Sequence, residues 1–140
     1  MSATAGAAAG SSASRLGVRA GQAVQELGYD DDVDHDLREA VEDLSGSTLL
    51  DEEDQEVVDV VLLWWREGDG DLVDALVDAL VSLADDGVVW LLTPKAGRPG
   101  HVPPSDVEEA APTAGLHATS TVKPSEDWTA TRLVSGGNRR

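Results

Sequence analysis

The sequence predicts an α/β domain of three layers, in which helices cover both faces of a mostly parallel sheet of about six strands. Three observations lead to this prediction. Two short runs, 57–65 (VVDVVLLWW) and 88–92 (VVWLL), are apolar on both alternating faces except at Asp59, which is typical of buried parallel strands. Helical patterns of apolar residues alternate with these strands. Two strands rich in Thr and Val, joined by a short turn, predict an antiparallel hairpin at the C-terminal end.

Composition predicts the domain boundaries. After Met1, the first 14 residues are only Ala, Gly, Ser and Thr, too few large apolar groups to offset the entropy lost on ordering. We therefore predict a flexible tail at 1–14, one domain at 15–134 and a frayed end at 135–140.

The start lacks the pattern of a secretory signal, no apolar run approaches the length of a membrane helix, and there is no cysteine. These features predict a cytoplasmic protein.

The first half of the domain predicts a strand followed by a helix. Residues 23–27 form a short strand that ends at Gly28. The apolar face of the helix repeats at spacings of three and four residues, at Leu37, Ala40, Val41 and Leu44. Asp36 with Glu39 predicts a capping box, and Gly46 predicts the end of the helix.

The middle of the chain predicts two strands and a long helix. The segment 47–50 (STLL) predicts a short strand, although only about seven residues then return the chain to the next strand, fewer than a parallel crossover normally needs. The run 57–65 predicts the central strand; a helix is the alternative, and the β-branched residues favour the strand. A helix with one narrow acidic stripe follows, begun by Asp69 or Asp71 and ended by Gly87.

The last third predicts a strand, a loop, a short helix and the hairpin. Ser105 with Glu108 predicts a second capping box, and Pro112 limits the length of that helix. The two hairpin strands are 116–122 and 128–134, with KPSED as the turn. The order β, α, β, β, α, β, α, β, β is that of a single, reduced Rossmann-like domain with right-handed crossovers.

The charge of the chain is large and one-sided. The net charge is −17, and residues 26–86 hold 22 of the 27 acids with only two bases. Because such a field repels a phosphate backbone, nucleic-acid binding is not expected. The acid excess favours solubility or, alternatively, attracts a basic partner.

We expect a monomer or a homodimer, the dimer forming through the edge of the hairpin.

Four segments resemble a small actinobacterial family of unknown function: RLGVRAGQAVQELG, VVLLWW, LADDGVVWLLTPKAGR and EDWTATRLV. The resemblance covers roughly residues 15–134, and GVVWLLTPKAGR at 87–98 is its most specific part. It implies no activity.

The layout also resembles the core of S-adenosylmethionine-dependent methyltransferases, shortened by a strand and its helices. In that family the first strand ends in an acid-x-Gly-x-Gly-x-Gly loop, whose glycines let the backbone approach the cofactor. ELGYDDDVD matches the start of this loop with Glu26 and Gly28, and carries Asp30 and Asp32 where the later glycines stand. Asp51 matches the acid that holds a ribose in such enzymes. The resemblance therefore implies the fold more strongly than the activity.

Two adjacent tryptophans end the predicted central strand. Ligands of open parallel sheets bind outside the carboxyl ends of the strands. Since neighbouring strand residues point to opposite faces, only one of Trp64 and Trp65 can face a given pocket. We predict Trp65 beside Gly28 and Asp30; the alternative is that both tryptophans are core aromatics covering helix ends.

The loop TPKAGRPGH carries Lys95, Arg98 and His101 in a stretch without acids, 87–105. Because the loop follows a central strand, it predicts a site for an anion or an acidic group. The alternative is that these bases form salt bridges with the acidic half of the chain.

These features favour a non-enzymatic regulatory or interaction protein that binds an acidic small molecule or a protein partner. The predicted ligand-binding residues are Gly28, Asp30, Asp51, Trp65, Lys95 and Arg98. The alternative is a reduced methyltransferase-like protein that still binds S-adenosylmethionine. No catalytic residue and no metal site are predicted, because the three histidines lack metal-ligand spacing and DDDVDHD lacks the Gly and Glu of a calcium loop.

Overall fold

The fold is a five-stranded mixed sheet with helices on both faces. It is seen in a computed structural model that describes residues 15–54 and 56–135. The tail predicted at 1–14 and residues 136–140 of the end predicted at 135–140 lie outside the described residues, whereas Ser135 belongs to the last strand. The elements are β1 (Val24–Leu27), α1 (His35–Ser45), β2 (Val58–Trp64), α2 (Leu72–Ala79), β3 (Leu83–Pro94), α3 (Pro104–Thr113), β4 (Leu116–Val122) and β5 (Trp128–Ser135).

The strand order is β1-β2-β3-β5-β4. β1, β2 and β3 are parallel, whereas β5 runs antiparallel to both β3 and β4. The prediction of a mostly parallel sheet of about six strands is therefore corrected: among the described residues there are five strands, with two parallel and two antiparallel pairings. The predicted hairpin is confirmed, and its second strand lies against β3.

The segment 47–50 does not form the predicted sixth strand. It contributes a single bridge between Leu50 and Gln25, in which Glu26 N donates to the Leu50 carbonyl at 2.7 Å and Leu50 N donates to the Val24 carbonyl at 2.9 Å. The crossover from β1 to β2 therefore contains α1 and has the length that a parallel connection needs.

The helix predicted to end at Gly87 ends instead at Ala79. The chain turns and enters β3 at Leu83, which pairs with Val58 at a register shift in β2. Gly87 lies in β3, where a Cβ atom would stand 2.9 Å from the Asp59 carbonyl oxygen. The glycine thus permits a close strand approach and does not stop a helix.

Two of the predicted helix caps differ from the structure. Asp34 caps α1, accepting a hydrogen bond from Leu37 N at 3.0 Å, and Asp36 lies inside the first turn, where its charge suits the helix dipole. The predicted capping box of Ser105 and Glu108 does not form, because the N-cap of α3 is Pro103, which makes no side-chain cap hydrogen bond. A proline stands at the first helical position, where its fixed φ suits the helix. Two helix ends are as predicted: Asp71 caps the start of α2, and Gly46 ends α1 with φ 81°.

The core has two halves, one on each face of the sheet. On one face α1 packs against alternate residues of all three parallel strands, including Trp64 and Trp90. On the other face α2 and α3 pack against Val61, Leu63 and Leu91. This confirms three layers. Within the described residues, no helix combines the length and apolar character needed to cross a bilayer.

Candidate functional site

The carboxyl ends of β1 and β2 lie side by side. Leu27 is in register with Leu63, which brings Gly28 against the backbone of Trp64. Gly28 has φ 78°, and a Cβ atom there would overlap the Trp64 carbonyl oxygen. The glycine is therefore required by the approach of the two strands, whether or not a ligand is bound.

Glu26, the acid of the matched loop, lies beneath these strand ends. Its buried carboxylate accepts hydrogen bonds from Arg38 Nε at 2.5 Å, Arg38 Nη2 at 2.8 Å and Trp64 Nε1 at 2.9 Å. Hydrogen bonding to Glu26 also raises the pKa of the Arg38 guanidinium above its ordinary value. Glu26 thus joins α1, β1 and β2.

Arg66 lies in this region as well, although it is not among the six predicted ligand-binding residues. Its Nη1 donates to the Gly28 carbonyl at 2.8 Å, and its Nη2 and Nε donate to the Asp32 carboxylate at 2.5 and 3.0 Å. The guanidinium also stands over the Trp128 ring, 5.3 Å from the ring centroid. Asp32, one of the two aspartates that replace glycines, is therefore the ion-pair partner of Arg66. A sequence signal existed, because Arg38 and Arg66 are the two bases in an acidic stretch of 61 residues, 26–86.

This ion pair predicts a dependence of stability on pH. The hydrogen bonds from Arg66 lower the pKa of Asp32 below its ordinary value of 3.8. A lowered folded-state pKa stabilises the fold above the unfolded pKa, and that contribution is lost as pH falls towards the folded value. Asp32→Asn should therefore be less stable than the wild type at pH 6, with the difference shrinking below about pH 4. Urea unfolding across pH 3 to 7 checks this. Asp31→Asn, at an exposed neighbour, is the control, and a constant difference down to pH 3 would contradict the expectation.

A cavity of about 790 Å³ opens beside the ends of β1 and β2, a size typical of small-molecule sites. We call it the strand-end cleft. Tyr29, Trp65 and the fully buried Trp64 are its aromatic lining residues, and Arg66 is the base among them. Its carboxylates come from Asp30, Glu52, Glu53, Asp69 and Asp78. In the described parts of the chain, no three His, Asp or Glu side chains converge as a metal site.

Three of the six predicted site residues, Gly28, Asp30 and Trp65, line the strand-end cleft. Asp51 lies in a neighbouring recess of about 440 Å³. Its carboxylate accepts a hydrogen bond from Glu53 N at 2.9 Å, so it also stabilises its own turn.

Lys95 and Arg98 lie away from the strand-end cleft, beside the turn of the hairpin. Arg98 Nη1 is 3.1 Å from Asp127 Oδ1, and Lys95 N donates to the Asp127 carbonyl at 2.9 Å. Both Arg98 and Asp127 are about half exposed, 49% and 51%, so this ion pair contributes little to stability. His101 Nδ1 contacts the Pro94 carbonyl at 2.9 Å. The ion pair of the loop is thus with the hairpin turn, whereas its Gly100 carbonyl accepts a hydrogen bond from Glu67 N at 2.9 Å, which ties the loop to the acidic half of the chain as well.

The two tryptophans point to opposite faces of the sheet. Trp64 is fully buried on the α1 face, and its ring meets Trp128 edge-on with centroids 4.9 Å apart. Trp65 is partly buried on the α2 face and lines the strand-end cleft. The structure therefore separates a core aromatic from a cleft aromatic within one dipeptide.

A family model described as "Protein of unknown function (DUF3052)" matches residues 13–137. The chain is 56% identical over 127 residues to the uncharacterized protein Mb2263c of Mycobacterium bovis, covering 91% of this chain and 80% of that protein. The same figures hold for the uncharacterized protein Rv2239c of Mycobacterium tuberculosis.

Among solved structures, the chain is similar to the pyocyanin biosynthetic protein PhzM, with a TM-score of 0.66 and 16% identity; the match covers 92% of this chain and spans about half, 54%, of PhzM. A SAM-dependent methyltransferase from Aquifex aeolicus matches with a TM-score of 0.55 and 12% identity, over 86% of this chain and 85% of that chain. The O-methyltransferase NcsB1, in complex with S-adenosylmethionine, matches with a TM-score of 0.56 and 14% identity, over 82% of this chain and 49% of that chain. At these identities the likeness shows the fold: an α/β fold similar to that of methyltransferases.

Proposed function

The chain belongs to the DUF3052 family, and from this premise we propose that it is a non-enzymatic binding module whose strand-end cleft holds a cationic small molecule. The observation that carries the proposal is the charge of the cleft. Five carboxylates line it with one guanidinium, which pairs with Asp32 and, at 3.4 Å, with Asp69, so the lining carries an excess of negative charge. A concave site lined by one sign of charge concentrates ligands of the opposite sign.

Two carboxylates nearest the strand ends support binding over catalysis. Asp32 is held as a carboxylate by Arg66, which lowers its pKa. Glu26 accepts three hydrogen bonds from Arg38 and Trp64. A catalytic acid or base works best with a pKa near the operating pH and with free access to the substrate. The pKa of Asp32 is shifted away from neutral pH, and Glu26 is buried and has no free access to a substrate. Their role in this proposal is therefore to hold the wall of the cleft.

S-adenosylmethionine is the first cation to test. The fold is similar to that of a SAM-dependent methyltransferase, and the cleft lies at the strand ends where such sheets bind ligands. The molecule carries a sulfonium and an ammonium against one carboxylate, so its net charge suits the cleft. Because Gly28 is explained by the strand approach and Asp51 lies in another recess, this candidate rests on the fold and the charge.

Calorimetric titration of the full chain tests the proposal with S-adenosylmethionine, spermidine and S-adenosylhomocysteine, which lacks the sulfonium. We expect binding of one of the cations, weakened by salt because the attraction is electrostatic. Glu52→Gln with Asp78→Asn should weaken it by about twofold to tenfold. Asp43→Asn with Glu108→Gln, at two exposed acids that line neither the cleft nor its neighbouring recess, is the charge-matched control. Equal binding of S-adenosylhomocysteine, or no cation bound more tightly than about 1 mM, would overturn the proposal.

We predicted that Lys95 and Arg98 bind an acidic small molecule or a protein partner. These residues lie on a different surface, so their ligand is a separate proposal.

A regulatory role and a homodimer through the β4 edge are proposals as well. Light scattering with Ser120→Pro, which removes a backbone donor from β4, tests the dimer.

A further inference from the structure

The strand-end cleft continues into a second recess of about 490 Å³. The two cavities share Glu52, Val81 and Ser82. Together they make one groove, which we call the β1 groove. It runs beside β1 from Tyr29, at the carboxyl end of the strand, down to Val57 at the start of β2.

The groove lies where a layer of the fold is incomplete. Strands of a parallel sheet are normally covered by helices on both faces. α1 covers one face of β1, where Val24 is buried, whereas α2 and α3 lie over β2 and β3 on the other face. On that second face Gln25 is buried beneath the turn at 51–54, where its Nε2 donates to the Asp51 carbonyl at 3.0 Å, whereas Leu27 at the carboxyl end of the strand is only partly buried. Beyond β1 the sheet has only the Leu50 bridge among the described residues.

The groove collects exposed apolar side chains. Four large apolar residues of the described chain are exposed, and Tyr29, Val57 and Val81 line the groove. Val57 is 74% exposed and Val81 80% exposed, and both line the same recess. Adjacent exposed apolar side chains rimmed by polar groups are a mark of interaction surfaces.

The rim of the groove is acidic, and this decides between occupants. Glu52, Asp54 and Glu56 line the lower recess, and Asp78 lines the part nearer α2. A second copy of the chain would bring the same acids and a net charge of −17, and an anionic lipid surface would be repelled as well. Charge complementarity therefore favours a basic partner.

We propose that the β1 groove docks a basic amphipathic helix of a partner protein. The apolar face of the helix covers Val57 and Val81, its Lys and Arg side chains meet the acids of the rim, and the helix completes the missing layer over β1. This proposal goes beyond small-molecule binding and does not depend on it, although both use the wall formed by Glu52.

A set of three synthetic peptides tests the docking by fluorescence anisotropy with the full chain. The first has about 18 residues, with Leu along one helical face and Lys elsewhere. The second has Ser in place of Leu, and the third has Glu in place of Lys. We expect the Leu/Lys peptide to bind about tenfold more tightly than the Ser/Lys peptide, because both valines are then covered. The Glu peptide should not bind.

Protein variants locate the site. Val57→Ser with Val81→Ser should reduce the affinity for the Leu/Lys peptide to that for the Ser/Lys peptide. Val77→Ser, at an exposed valine that lines neither recess, is the matched control and should change nothing. Since all three valines are exposed, circular dichroism should show the same fold in every variant.

Three outcomes would overturn the docking proposal. The first is equal affinity for the Leu/Lys and Ser/Lys peptides, which means diffuse charge attraction only. The second is an unchanged affinity in the Val57/Val81 variant. The third is a dimer by light scattering that this variant abolishes, which means that a second copy fills the groove. Cation calorimetry on Val57→Ser alone keeps the two proposals distinguishable, because Val57 lines only the lower recess and not the strand-end cleft.

Discussion

Replacing Glu26 by Ala is expected to destabilise the domain by about 3 to 5 kcal/mol, the range for breaking a buried ion pair by removing one partner. The side chain of Glu26 is 7% exposed, and that of Arg38 is 26% exposed. The substitution leaves the Arg38 guanidinium without its partner and the Trp64 Nε1–H without an acceptor inside the core. Because folded domains are stable by only about 5 to 15 kcal/mol, the variant should lose a large part of its stability.

Urea unfolding followed by tryptophan fluorescence measures the effect. Glu26→Gln is the matched control, since its amide oxygen still accepts from Trp64 while the charge is lost, and a smaller loss is expected. Removing both partners in Glu26→Leu with Arg38→Leu should recover much of the loss, since apolar groups can replace a buried pair. Wild-type stability of Glu26→Ala would show that Glu26 does not hold β1 to α1 and β2.

Gly28→Ala is expected to be the other strongly destabilising change, at about 2 to 5 kcal/mol. The left-handed backbone at φ 78° costs a residue with a Cβ atom about 1 to 2 kcal/mol. The overlap of that Cβ with the Trp64 carbonyl adds a packing cost of about 1 to 3 kcal/mol, because β1 and β2 must move apart.

Gly46→Ala separates the two contributions. Gly46 has almost the same backbone angle, φ 81°, and a Cβ atom there would meet no other atom within 4 Å. The unfolding free energies should therefore fall further for Gly28→Ala than for Gly46→Ala. Equal losses would mean that the strand ends adapt freely. A fully stable Gly28→Ala that has lost cation binding would instead mark Gly28 as a ligand contact.

The sequence correctly predicted those elements whose extent depends on residues close together in the chain. β2 spans Val58–Trp64 against the predicted 57–65, because β-branched residues on both faces suit a doubly covered strand. α1 ends at Gly46 as predicted, because a left-handed residue is needed there. The hairpin also followed from its own residues.

The boundary between α2 and β3 could not be predicted from local pattern. Residues 80–87 continue the helical spacing of α2, but pairing of Leu83 with Val58 draws this segment into the sheet. That pairing joins residues distant in sequence, and it outweighs the helix propensity of residues 80–87. The single bridge at Leu50 and the insertion of β5 beside β3 are likewise properties of the assembled sheet.

The candidate site was predicted only where it follows a strand end. Gly28, Asp30 and Trp65 meet because β1 and β2 are parallel neighbours. The sequence could not predict which of the many acids pair with Arg66 and Arg98. The partners include Asp32 for Arg66 and Asp127 for Arg98, and these pairings depend on distances in the folded chain.

The position of β5 has a consequence for synthesis of the protein on the ribosome. β5 lies between β3 and β4, so the last of the five described strands to emerge is interior and not at an edge. Until Trp128–Ser135 has left the exit tunnel, β3 has an unpaired edge and β4 has no neighbour in the sheet. A nascent or prematurely terminated chain that stops before Trp128 thus presents a long apolar edge, the kind of surface that chaperones and proteases recognise.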